Sequence, residues 1–247
     1  MTTDTKRAQI INQLLAQAES TNYPEEAKAF SAKAQKLMAK WAIDDAVLNS
    51  VNNIDSLEID VEIIPITANY LSATKASLLN IIGKYNNCRV IKGWKNQENI
   101  DLHIIGSASD RSWVQTLFLS LLTQETRESA IAWMLSEISE TPQAFATSFQ
   151  MGYNNKIREQ LREAYEIAER DAAKEHGQNS VALVVQSKAD AVNLKTRELF
   201  PNLQSAGRGK NARSQAGYSA GQIAGAQAST GRGNKVGSGA LRLGAKT

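Results

Sequence analysis

Apolar positions at three- and four-residue spacing (Ile10, Ile11, Leu14, Leu15, Ala18) predict an amphipathic helix over about 5–19. Pro24 ends that pattern and opens the next, in which Glu25 and Glu26 suit the positive end of a helix dipole. Ala27, Phe30, Ala34, Leu37, Met38 and Trp41 then form one buried face. The intervening Ser20-Thr21-Asn22-Tyr23 is short, so the two helices should fold back as an antiparallel hairpin. Ile43-Asp44-Asp45 begins a third, short helix that is expected to run through Val51.

The period then falls to two. Leu57, Ile59, Val61 and Ile63 alternate with Glu58, Asp60 and Glu62, predicting a half-buried strand that ends at Pro65. A helix over about 70–85 follows, with Leu71, Leu78, Leu79, Ile81 and Ile82 as its apolar set. Segments 88–94 and 100–105 read as two strands joined by the polar turn 95–99. Gly106 to Asp110 has the residues of a strand-to-helix junction: a glycine for the turn, Ser107 or Ser109 to cap, and an acid near the helix start. The helix beyond it carries Trp113, Val114, Leu117, Phe118, Leu121 and Leu122, and its pattern extends through Ile131, Met134, Leu135 and Ile138.

After Thr141-Pro142, a second long helix places Phe149, Tyr153, Ile157, Leu161 and Tyr165 at every fourth position. Lys174, His176 and Gly177 suit its C-terminus. Val181 to Val185 reads as a short strand followed by a helix to Phe200, and only 214–229 has helical character beyond it. The fold class is α+β and predominantly helical: an N-terminal hairpin, a small three-stranded α/β unit, a long helical pair and a flexible basic tail. The expected divisions are 1–52, 53–206 and 207–247, with 229–247 disordered because Gly/Ser-rich, charge-biased sequence buries too little apolar surface to offset its ordering entropy.

Charge sharpens this division. The net +3 conceals 19 Lys+Arg against 24 Asp+Glu in residues 1–194, and 9 against 1 in residues 195–247. Ten of the 15 glycines lie from Gly207 onward, in a stretch with no acidic residue. The cations Arg208, Lys210, Arg213, Arg232, Lys235, Arg242 and Lys246 suit sequence-independent contact with DNA or RNA, through counterion release. They equally suit a solubilising tail or docking on the protein's own acidic body. Tyr218 is the only ring beyond Phe200, which does not support base stacking.

Gly217, Gly221 and Gly225 recur every four residues beside Ala216, Ala220 and Ala224, forming a smooth face that lets another backbone approach. That face suits either packing on the body or docking of a protein partner or second copy.

Other chemistry is thin. Gly207-Arg208-Gly209-Lys210-Asn211 lacks the first glycine of a P-loop and has Asn211 where a hydroxyl should meet magnesium. Glu58, Asp60 and Glu62 share one strand face, and Asn99, Asp101 and His103 another; were those faces to meet, Glu58, Asp60, Asp101 and His103 would form the acid/base set of a metal-dependent hydrolase. Alternating polar residues more simply mark a solvated face, so a non-enzymatic protein without metal or cofactor is expected. The single Cys88 excludes an intrachain disulfide, and no apolar run approaches membrane-spanning length. A cytoplasmic, non-membrane protein is the expectation.

Residues 11–21 (INQLLAQAEST), Pro24-Glu25-Glu26-Ala27 and residues 34–44 (AQKLMAKWAID) resemble the pattern of the domain of unknown function 2786 family. Later segments, Ile105 to Asp110, Phe149 to Leu161, Leu199-Phe200-Pro201 and Tyr218 to Gly221, resemble the uncharacterised region that usually follows it. Trp41 stands where many relatives have a smaller aromatic. The resemblance implies the hairpin and a phage or bacterial setting, and it carries over no catalytic residue.

Overall fold

The computed structural model describes residues 3–21, 58–94, 96, 98–136, 140–204 and 211–228, together with 23, 26, 29–30, 33–34, 36–38 and 40–41. The expected helix over 43–51 and the tail 229–247 lie outside the described residues. In chain order the elements are α1 (Thr3–Ser20), β1 (Ile59–Thr67), α2 (Ser72–Lys84), β2 (Arg89–Trp94), β3 (Asn99–Ser107), α3 (Ala108–Met134), α4 (Pro142–His176), α5 (Gln178–Leu199) and α6 (Gln215–Gln227).

In the N-terminal hairpin, Ile11 and Leu14 of α1 pack with Ala34 and Met38, flanked by Phe30, Leu37 and Trp41, as the spacing predicts. Trp113 of α3 joins this cluster, so the hairpin is seated on the body. Lys36–Asp171 at 2.7 Å and Lys40–Glu175 at 3.0 Å add exposed ion pairs to α4. Solvent screens both pairs, so apolar contact holds the hairpin and the ion pairs orient it.

The three strands form an antiparallel sheet in the order β1-β3-β2. Helices α2 and α3 cover one face and α4 packs on both helices, so that Ile64, Ile100, Leu102 and Ile104 share one core with Leu78, Leu79, Ile82, Phe118, Phe149 and Tyr153. Helix α5 lies over the opposite face, with Phe200 just beyond its end edge-to-face on His103 at 5.0 Å. Ser107 caps α3 as the sequence signals, its Oγ accepting from Asp110 N–H, and the structure adds a cap at Thr141, whose Oγ1 accepts from Ala144 N–H with Pro142 in the first turn. Gly177 ends α4 at φ +86°, a conformation that side-chain-bearing residues rarely adopt.

Several expectations differ from the structure. Strand β1 does not stop at Pro65 but passes through it, with Pro65 opposite Asp101. β1 is an edge strand, where sheets tolerate a residue without an amide hydrogen. The alternation holds at Ile59, Asp60 and Val61 but switches beyond them, where Ile64 is buried and Ile63 exposed. The run Ile63-Ile64-Pro65-Ile66 offers apolar side chains to both faces, and register with the buried row of β3 decides between them. Val181 to Val185 belongs to the continuous helix α5, in which Val181 and Val184 pack on Ala168 and Ala172 of α4. An apolar run of that length is ambiguous in period, and contact with a neighbouring helix settles it. Met134 and Leu135, read as part of an apolar stripe, are largely exposed at the end of α3. Helix α6 packs on α4 and joins the main core through Ala224.

Candidate functional site

The basic end of the chain is positioned by α6. Phe145, Phe149 and Tyr153 recur every four residues on α4, and Gly217, Gly221 and Gly225 keep the same period on α6. The two rows lie in register: a Cβ added at Gly217 would sit 2.6 Å from Phe145 O, at Gly221 2.0 Å from Phe149 O, and at Gly225 2.8 Å from Tyr153 O. Gly152 returns the relation from α4, since its Cβ would come within 2.1 Å of Tyr218 O. Only glycine on both sides permits this approach.

Polar contacts fix the ends of the docked helix. Ser148 Oγ accepts from the Arg213 and Ser214 amides at 3.0 Å each, and the buried Ser214 caps α6 by accepting from Gly217 N–H at 2.9 Å. Asn155 Nδ2 donates to Tyr218 Oη at 2.7 Å, and Gln160 Nε2 donates to Gly225 O at 3.2 Å. The Gly217, Gly221 and Gly225 face offered by the sequence to a partner is therefore filled by the protein's own α4.

Among the seven cations singled out for nucleic-acid contact, Arg213 is exposed just ahead of α6, its main chain tied to Ser148. Arg208, Lys210, Arg232, Lys235, Arg242 and Lys246 lie outside the described residues. They fall on both sides of α6 in sequence.

The acid/base candidates do not assemble. Asp60 and Glu62 pair with Gly106 and Ile104, whereas Asp101 and His103 pair with Pro65 and Ile63. Paired residues share a face and faces alternate along a strand, so the two sets lie on opposite sides of the sheet. Glu62 instead faces Arg111 at 3.9 Å. Among the described residues, no group of three His, Cys, Asp or Glu side chains could hold a metal ion.

Sequence reasoning missed two buried polar networks. In the first, Lys188 Nζ of α5 meets Asp110 Oδ2 of α3 at 2.7 Å, with both side chains at least 96% buried. Ser107 Oγ donates to the same carboxylate oxygen at 2.7 Å. Burial foremost, and then the Asp110 charge, pushes the neighbouring Cys88 thiol far up, so it stays protonated and is no nucleophile.

The second network joins α2, α3 and α4: Thr74 Oγ1 donates to Gln150 Oε1, and Gln150 Nε2 donates to Glu125 Oε2 at 2.6 Å. Burial pushes the Glu125 carboxyl up from 4.5 to about 7, against the opposing effects of the Gln150 bond and Lys75. Between those values the folded protein retains a proton that the unfolded chain has lost, so stability falls as pH rises through that window. By about pH 8 the loss is on the order of 3 kcal/mol. Glu125→Gln, which still accepts from Gln150, should flatten this dependence and raise the urea midpoint at about pH 8 more than at about pH 5. Equal shifts at both pH values would refute the assignment.

The arrangement is that of a predominantly helical α+β body with α6 seated on α4. The family relation enters through the hairpin, where residues 11–45 match the family described as "Protein of unknown function (DUF2786)". No curated protein and no solved structure gives a significant match to the chain. Among the described residues no helix is long and apolar enough to cross a membrane.

Proposed function

We propose that this protein is a non-enzymatic accessory factor, in a phage or bacterial setting, that contacts DNA or RNA without sequence preference through its basic C-terminal segments. The observation that carries the reading is the seating of α6: a helix clamped to α4 by paired glycines has cationic chain on both sides, with no acidic residue from 207 onward. Seven cations on such segments neutralise phosphates and release counterions, and α6 fixes their origin on the body.

Fluorescence anisotropy with labelled single- and double-stranded oligonucleotides tests this. Engagement of all seven cations gives a log–log salt slope of up to about −6 on duplex DNA. Changing Arg232, Lys235, Arg242 and Lys246 to Gln in the full chain should flatten it by roughly 3 to 4. Absence of binding at low salt, or binding that these substitutions leave untouched, rejects the reading. An assembly role through the hairpin is the second reading. The glycine face gives it less support, being occupied within the chain.

A further inference from the structure

Helices α2 and α5, the start of β2 and Tyr165 of α4 enclose a cleft of about 340 Å³. That is within the range of small-molecule sites, roughly 300–1,000 Å³. Its lining has a definite chemical order. Two exposed cations, Lys84 and Arg89, line it, and among the described residues no carboxylate does. Arg89 Nη1 donates to Asn193 Oδ1 at 2.7 Å, which spans the gap from β2 to α5 and holds the guanidinium in place. Asn80 of α2 adds an amide with both donor and acceptor, while Asn193 of α5 has its Oδ1 engaged by Arg89. Val185, the buried Val192 and the half-buried Tyr165 ring supply apolar surface, and Tyr165 is braced by Tyr85 at 6.2 Å between ring centroids. The neutral Cys88 thiol leaves the floor uncharged.

We propose that this cleft binds a nucleotide-sized anion, with its phosphate at Lys84 and Arg89, its planar ring along Tyr165 and Val192, and the ring's polar edge on Asn80. Cations without a competing carboxylate select a negative group, a side-chain amide matches the donor–acceptor edge of a base, and the apolar surface takes its face. Nothing in the lining is an activated nucleophile or base, so the site holds its ligand and does not transform it. The proposal does not depend on the C-terminal segments.

The test is a titration of the ¹⁵N-labelled full chain with adenosine 5′-monophosphate, followed by NMR, with adenosine and inorganic phosphate as separate arms. Saturable shifts at amides of 84–89 and 189–193, tighter for the monophosphate than for either fragment, are expected. The variant K84Q/R89Q should weaken the monophosphate by about tenfold or more while leaving adenosine nearly unchanged. A parallel titration with a short oligonucleotide separates a free nucleotide from one residue of a strand: shifts at the same amides, lost in K84Q/R89Q, assign the cleft to a strand as well. No saturable shift with the monophosphate, shifts confined to α6 and the basic segments, or equal affinity in K84Q/R89Q overturns the proposal. Should the oligonucleotide still bind through the basic segments in that event, the cleft alone is refuted and the proposed function stands.

Discussion

Gly221→Ala should destabilise the protein and loosen α6, although alanine is the better helix former. In an exposed helix the exchange contributes about 1 kcal/mol in favour of folding, because glycine loses the most backbone freedom. At this position the new methyl would lie 2.0 Å from the Phe149 carbonyl oxygen, and its nearest contacts are all backbone atoms of α4, which cannot rotate aside as a side chain can. The helix must therefore lift. Lifting it also withdraws Ser214 from Ser148 and Ala224 from the core.

Overpacking costs of about 1–3 kcal/mol are usual where side chains can adjust; here a loss at or beyond the upper end is expected. Hydrogen exchange at the amides of 217–227 should accelerate far more than exchange in β3. Ile223→Ala, on the exposed side of the same helix, should be nearly silent. A more stable Gly221→Ala protein would show that α6 is not held as described.

That seam shows what a sequence carries and what it withholds. The glycine period announces a smooth helix face, and the Phe145, Phe149, Tyr153 row has the same period, but neither names the other as its partner. The hairpin, the cap at Ser107 and the stop at Gly177 were legible because each is set within a few residues by hydrogen bonding or φ. The face of β1 was not, since Ile63 and Ile64 are equally apolar and only the register with β3 chooses between them. The acid/base candidates failed for a related reason: alternation places Asp60 with Glu62 and Asp101 with His103, but the pairing of strands decides whether the two sets meet. The cleft was invisible because its cations come from α2 and β2 and its amides from α2 and α5, across more than 100 residues of chain.

The second large effect is expected at Lys188, whose position in the sequence gives no sign of burial. Its ammonium is 2.7 Å from Asp110 and both groups are removed from water, so neither charge has solvent to fall back on. Lys188→Met keeps the apolar stem and deletes the charge, leaving Asp110 with the Ser107 hydroxyl and its own helix N-terminus as compensation. Breaking one partner of a buried pair in this way costs about 3–5 kcal/mol, most of it from the carboxylate left behind.

The double variant Lys188→Met/Asp110→Asn should then recover most of the loss, because the neutral amide oxygen still accepts from Ser107 and no buried charge remains. Urea unfolding of the four proteins of this cycle measures the coupling directly, provided the slopes agree. Additive losses would mean that water reaches the pair and that the seam between α5 and α3 is looser than its burial implies. Strong coupling would identify this pair as what ties α5 to the body, and with it the α5 wall of the cleft.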